Sequence, residues 1–468
     1  MKLSRGIIFV WLMLYLLFPN DDQLSSFGFG PPGTRLLIGD VFLLLAVSCS
    51  FPKFNQGMSA CVNVIGWFPI TVFLGCFAFS FLRGFAEYGG GAIGDSRWFC
   101  SIILLPIGYL VYDPKYLLTI KKLLIAAATV HALLVLVRFA TGSAWDTGGD
   151  VVRFASGRMS LIICIGCVCL LWKEFISNKR LRIKPLQGSL LALFLLALLV
   201  GQTRTVFLMM PVSFVLIMWN LDAVRLKSAM KIGLTLVLVA VIFSVTVKTI
   251  LPGNIRDSIY ASFGVVGEAF NPRTYELIVE DNSNSSGEKI HARNEFSKSG
   301  NTYFRILAWS QILTSISEYP GGWFIGLPMG TPFYWFGSGR VIYENLLPHN
   351  DYLAILARVG AIGLAGYVFI LARFFVLTRR YSISLRSIQD LPEGLAIIIT
   401  LLVFILLFVG INAELRAYGS HFWVWLLLGA GIKVVHGTVS LSAVKRGFVW
   451  RLLARISRPV AVHTREVS

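Results

Sequence analysis

The sequence predicts an all-α polytopic membrane protein, with about twelve transmembrane helices and one long extramembrane loop. Three observations predict it. Hydrophobic residues fill 56% of the 468 positions, against roughly 45–50% in soluble domains. Charged residues fill only 14%, against roughly 25%. Apolar residues gather into runs separated by basic loops, and the mean hydropathy is +0.72. This composition excludes a soluble multidomain enzyme, a disordered chain and a coiled coil. The net charge is +18, from 42 Lys and Arg against 24 Asp and Glu. In a soluble chain that excess would suggest nucleic acid. Here it fits basic loops against anionic lipid, so membrane lipid is the expected partner and nucleic acid is not.

The apolar runs lie at 6–19, 35–51, 62–82, 98–112, 117–140, 159–175, 187–203, 205–220, 232–250, 351–376, 394–411 and 421–436. The first has a basic start at Lys2 and Arg5, like a signal peptide, but no small-x-small cleavage site precedes Pro19, so a retained helix is expected. Basic residues then set the orientation. With the N-terminus inside, the inner loops collect Lys53, Lys121, Lys122, the cluster 179–184, Arg225, Lys227, Lys231, Arg379, Arg380 and Arg386. The positive-inside rule therefore puts both termini in the cytoplasm. The expected organisation is helices one to nine over 1–250, a large outer loop over 251–350, helices ten to twelve over 351–436, and a basic cytoplasmic tail over 437–468.

All seven cysteines fall in or beside apolar runs, which argues against a disulfide framework and against a zinc site. No P-loop, Rossmann glycine fingerprint or hydrolase nucleophile elbow is present. No metal and no cofactor are expected.

A charge at the membrane needs a reason. Gln202-Thr203-Arg204-Thr205 joins two apolar runs with almost no loop, so Arg204 is expected at the outer tip of a tight helical hairpin. It can snorkel to lipid phosphate. It can also hold an anion, because guanidinium presents a planar fork of donors. Arg305 lies on a stretch, 303–313, with helical apolar spacing, one turn before Trp309. It can be a solvated loop charge or the second arm of an arginine clamp. That helix should stop at Glu318-Tyr319-Pro320-Gly321-Gly322. The aromatic residues Trp309, Trp323, Phe324, Phe333, Tyr334, Trp335 and Phe336 suit a membrane interface or a sugar-binding face.

His349 marks the return of the outer loop to the membrane, and Ala354–Leu377 follows as a clear helix with Gly360, Gly363 and Gly366 for close packing. A histidine here can cap a helix or sit at the interface. It can also act as a base, since a neutral imidazole accepts a proton near pH 7. Weaker candidates are His131 and Arg138, which share a helix face, Arg153 and Arg158, and Glu414 with Arg416 in a short outer loop that could reach the same cleft.

Pro348-His349-Asn350-Asp351-Tyr352-Leu353, followed by Gly360-Ala361-Ile362-Gly363-Leu364, resembles the signature of the O-antigen ligase and Wzy-type polysaccharide polymerase superfamily. In that superfamily the stretch closes a large periplasmic loop and opens a transmembrane helix. Thr203-Arg204 resembles the family's hairpin-tip arginine, and Arg305 with Trp309 resembles its second arginine. The run Gly322–Gly330 departs from the family's closer glycine spacing.

The resemblance implies a GT-C-like fold in the bacterial inner membrane with a periplasmic active site. It implies transfer of a glycan from undecaprenyl pyrophosphate to a hydroxyl of a glycan or lipid A–core acceptor, with no metal. His349 would be the base. Arg204 and Arg305 would hold the pyrophosphate. Asn350, Asp351, Tyr352, Trp309 and Glu414 would meet substrate. Ligase-like transfer is the first reading and a Wzy-type polymerase the alternative. A transporter of lipid-linked sugar is the rival from another class. It would place its polar residues near the bilayer midplane, not at one face.

Overall fold

A computed structural model of the chain describes residues 5–8, 10, 11, 28, 29, 36–112, 117–143, 154–176, 184–201, 230, 234, 300–337, 340–344, 350–384 and 420–436. The described residues are mostly helical. The helices are α1 (Ile38–Ile65), α2 (Trp67–Tyr88), α3 (Gly90–Cys100), α4 (Leu104–Val111, entered through a 3-10 turn at Ser101–Ile103), α5 (Leu117–Thr141), α6 (Gly157–Ile176) and α7 (Pro185–Gly201). Beyond them come α8 (Gly300–Glu318), the single turn α9 (Gly322–Ile325), α10 (Asp351–Ser384) and α11 (Ser420–His436). Two short antiparallel hairpins are added to this frame: β1 (Gly28–Phe29) with β2 (Leu36–Leu37), and β3 (Tyr334–Gly337) with β4 (Arg340–Glu344). Among the described residues, three helical stretches are long and apolar enough to cross a membrane: Trp67–Tyr88, Thr119–Thr141 and Asp351–Leu377. Ser101–Val111, Met159–Leu171 and Pro185–Leu198 are shorter apolar helices. The expected spans at 205–220 and 394–411 lie outside the described residues, as do most of those at 6–19 and 232–250, the loop tip 281–299 and the tail.

Two boundaries differ from the sequence reading. The second apolar run does not stop near residue 51. Helix α1 continues through Pro52 to Ile65. A proline deletes one helical hydrogen bond and bends the helix, but the following turn can carry on. The chain breaks instead at Gly66, with φ 106°. The helix α3 was also unexpected. Its sequence, Gly-Gly-Ala-Ile-Gly-Asp-Ser-Arg-Trp-Phe-Cys, has no apolar period. Its charged residues have partners elsewhere: Arg97 pairs with Asp40 at 3.3 Å, and Asp95 pairs with a residue of α10.

One apolar cluster runs through the bundle. Phe73 on α2 meets Phe99 and Tyr367, and Tyr367 meets Trp425 edge-on at 6.3 Å. Edge and tilted ring pairs of this kind are favoured by the ring quadrupole. Small residues let α2 and α10 approach: a Cβ at Gly366 would lie 3.1 Å from the backbone of Pro69 and of Phe73. The close packing expected of Gly363 and Gly366 is therefore present. The outer faces of the same helices stay apolar, with Phe79, Leu82 and Phe85 on α2, Val130, Leu133 and Val137 on α5, and Ile362 and Val368 on α10 all exposed. Apolar inside and apolar outside is the pattern of helices solvated by lipid.

All seven cysteines carry free thiols. His131 is 0% exposed, whereas Arg138, on the same helix face, is half-buried. Lys433 of α11 donates to the carbonyl of Tyr112 at 2.7 Å, closing the end of α4.

Gly360 also allows a close approach, as expected, but it does so at a break in the helix. It has φ 68°, ψ −179° and splits α10 into two helical pieces. Its α-carbon faces the backbone of Phe324 and Ile325, leaving no room for a side chain. Gly360→Ala should destabilise the protein by about 1–3 kcal/mol from backbone strain alone, with the steric contact added. Thermal unfolding in detergent measures this. Gly75→Ala is the control, since a Cβ there meets nothing within 4 Å. Equal Tm values for the two variants would mean that the bend in α10 relaxes freely.

Candidate functional site

The site is built where α8, the loop after it and the start of α10 meet. Helix α8 ends at Glu318, where the sequence placed its stop. Its last turns bury Ile312 and Ile316 against Leu327, Phe333, Leu353 and Ala357, with Trp309 and Leu313 packed at the edge. This second apolar cluster docks α8 onto the first turns of α10. It makes the stretch from Trp309 to Phe333 part of the bundle's end rather than a free loop.

The loop itself runs through α9 and then through Gly326–Phe333, wedged between α2, α3 and α10. Much of its backbone is hydrogen-bonded to neighbouring elements. Leu327 N–H donates to Ala357 O at 2.6 Å, and Met329 N–H donates to Ser80 O at 3.3 Å. Ser80 Oγ donates to Leu327 O at 3.1 Å. Arg83 Nη2 donates to Gly326 O at 2.8 Å and to Ile325 O at 3.3 Å, and its guanidinium lies over the rings of Phe79 and Tyr319.

Arg358 is the centre of the arrangement. It is 4% exposed. Nη2 pairs with Asp95 Oδ2 at 2.6 Å and donates to Thr331 O at 2.8 Å, and Nη1 donates to Pro328 O at 3.2 Å. The Phe333 ring covers it at 4.2 Å. Asp95 Oδ2 also accepts the Gly330 N–H at 2.9 Å. A buried charge without such partners costs several kcal/mol, so these bonds are the condition for Arg358 being there at all. The fork geometry of guanidinium lets one side chain hold two carbonyls and a carboxylate together.

The start of α10 explains the order of residues around His349. Asn350 Oδ1 accepts the Leu353 N–H at 3.0 Å, and Asn350 O accepts the Ala354 N–H at 3.0 Å. Asn350 is thus the N-cap of α10, a role its side chain suits well. Asp351 sits in the first turn and is 1% exposed. Tyr352 is half-buried and packs edge-on against Tyr367 at 6.3 Å.

The residues expected from sequence divide accordingly. Arg305 lies on α8, one turn before Trp309, and Trp309 packs at the docking cluster. Asn350, Asp351 and Tyr352 open α10, with one side chain capping the helix and the other two turned into the packed interior. His349, Arg204 and Glu414 lie outside the described residues. The structure adds Ser80, Arg83, Asp95 and Arg358, which the sequence reading missed. Arg358 carried a signal: it is a charge inside the otherwise apolar run 353–371, and such a charge calls for a partner. Asp95, in a glycine-rich polar stretch, carried none.

Residues 189–368 match the family model Wzy_C, described as O-antigen ligase. Over this segment the chain is similar to the O-antigen ligase family. The matched segment takes in Arg204, Arg305, Trp309, the 348–353 motif and Arg358, while Ser80, Arg83 and Asp95 precede it. No curated protein matches the chain. The O-antigen ligase match carries a coarse role, glycan transfer in polysaccharide biosynthesis. Together with the apolar helices it makes this a membrane protein.

Proposed function

We propose that the protein transfers a glycan from undecaprenyl pyrophosphate to an acceptor hydroxyl at the periplasmic face of the bacterial inner membrane, as an O-antigen ligase-like enzyme. One observation carries the reading. The O-antigen ligase match covers the segment in which the helix bearing Arg305 docks on the start of α10, where Asn350, directly after His349, caps the helix.

In the proposed reaction, His349 takes the proton of the acceptor hydroxyl. The acceptor oxygen attacks the anomeric carbon. The bond from that carbon to the pyrophosphate oxygen breaks, and the electron pair leaves with the lipid pyrophosphate. Arg204 and Arg305 stabilise the charge that grows on the leaving group. No protein nucleophile is needed, and the anomeric centre inverts. The acceptor is lipid A–core or another glycan. Trp309 and Glu414 are proposed to contact substrate.

The test is a strain lacking the protein, with carrier-linked glycan and surface polysaccharide extracted and sized. Long chains stranded on the carrier lipid, beside a bare acceptor, are the expected result. Single repeat units on the carrier with no long chains would assign polymerase activity instead. Unchanged glycans in both pools would remove the proposed function. Transport of lipid-linked glycan across liposomes by the purified protein, with no new glycosidic bond, would do the same.

A further inference from the structure

We infer that the Arg358–Asp95 pair is a positioning device for the transfer site, one that sets the spacing between the helix carrying Arg305 and the helix start that follows His349. The inference rests on the proposed function for what is being positioned. The device itself stands on geometry alone.

The chain passes from α8 through the 320–333 loop and the β3–β4 hairpin to the start of α10. The two ends of this path carry the proposed pyrophosphate arm and the proposed base. Arg358 lies two turns into α10, yet it grips the middle of the path: Pro328 O at 3.2 Å and Thr331 O at 2.8 Å. Asp95, from α3, grips the same turn through the Gly330 N–H at 2.9 Å and closes on Arg358 at 2.6 Å. The turn is further tightened by Thr331, whose N–H and Oγ1 both donate to Pro328 O. So one ion pair joins three parts of the chain: α3, the loop and α10. With Arg358 bonded to both carbonyls and to Asp95, the loop cannot slide along α10 without breaking charge-assisted bonds in a buried place.

A purely structural ion pair would matter only for folding. A positioning pair has a different signature. It acts on the geometry of the transition state and not on the affinity of the donor. Misplacing a reacting group by about 1 Å can cost about 10²-fold in rate. Lysine at position 358 keeps the charge and can keep one bond, but it has no fork with which to hold Pro328, Thr331 and Asp95 at once.

The test uses the full-length purified protein. Arg358→Lys and Asp95→Asn are assayed with lipid-linked donor. In parallel, spin labels are carried by non-canonical residues at Thr314 on α8 and Ile362 on α10, both exposed positions. The expected result is a fall in kcat of about 10–100-fold, with KM for the donor within about twofold and a shifted or broadened Thr314–Ile362 distance. The double variant should be little worse than Arg358→Lys alone, because both act on one contact.

Wild-type kcat in both single variants, or an unchanged distance distribution, overturns the device. A changed KM with unchanged kcat and distance does so too, because it would make Arg358 a binding residue. Asp95→Asn guards against a folding defect in the Arg358 variant, since it leaves both carbonyl bonds of Arg358 in place. The two readings fail separately. Activity retained in His349→Ala would sink the proposed function, while the distance measurement would still report on the pair.

Discussion

Membranes carrying His349→Ala should transfer glycan about 10²–10⁴-fold more slowly than wild type, the usual contribution of a positioned general base. The expectation follows from position. Residue 349 directly precedes Asn350, whose side chain caps α10. An ordinary imidazole, with a reference pKa of about 6.5, is mostly neutral near pH 7. A neutral ring near pH 7 is the form that can accept the acceptor's proton. The initial rate with lipid-linked donor and acceptor measures the effect. His349→Gln keeps hydrogen bonding without basicity and should be as slow as His349→Ala. A rate within threefold of wild type in either variant removes His349 as the base. Recovery in His349→Gln alone would assign it to binding. The substitution leaves Asn350 in place, so α10 keeps its cap and the protein should still insert.

The membrane character of this chain was legible because lipid solvation is written along the whole sequence. The runs at 62–82, 117–140 and 351–376 correspond to the three helices of spanning length, Trp67–Tyr88, Thr119–Thr141 and Asp351–Leu377. The stop of α8 at Glu318 was legible too, because Pro320 and the following glycines are local signals. What was not legible depended on contacts far apart in sequence. Pro52 reads as a break but lies inside α1, since neighbouring turns and packing carry the helix past it. Helix α3 has weak local preference and exists with ion partners at Asp40 and Arg358. The 322–330 run departed from the family spacing, and its shape could not be read locally. Its carbonyls are held by Ser80, Arg83 and Arg358, residues that no window around the loop contains. For the candidate site, the motif located Asn350–Tyr352 at a helix start, as found. It gave no hint that Asn350 is the cap or that Asp351 turns inward.

Arg204→Ala and Arg305→Ala should each reduce transfer by about 10²–10³-fold, the range seen when one preorganised donor to developing charge is removed. Pyrophosphate leaves readily once its charge is held, and two guanidinium forks can hold it through bidentate bonds to phosphate oxygens. The helix that carries Arg305 is docked along its later turns. Arg305 shares α8 with Trp309, Ile312 and Ile316, which fix that helix against Leu353 and Ala357 of α10. In the proposed function, a donor carried on a rigid, docked helix would need little reorganisation at the moment of reaction. The loss should fall on kcat more than on KM, because the charge appears in the transition state. Arg305→Lys should recover only part of the rate, since an ammonium supplies charge without the planar fork. If two arginines carry the leaving group, EDTA should leave the wild-type rate unchanged. Full loss in EDTA with rescue by Mg²⁺ would replace the arginine clamp by a metal, and wild-type rates in Arg204→Ala or Arg305→Ala would remove that arm from it.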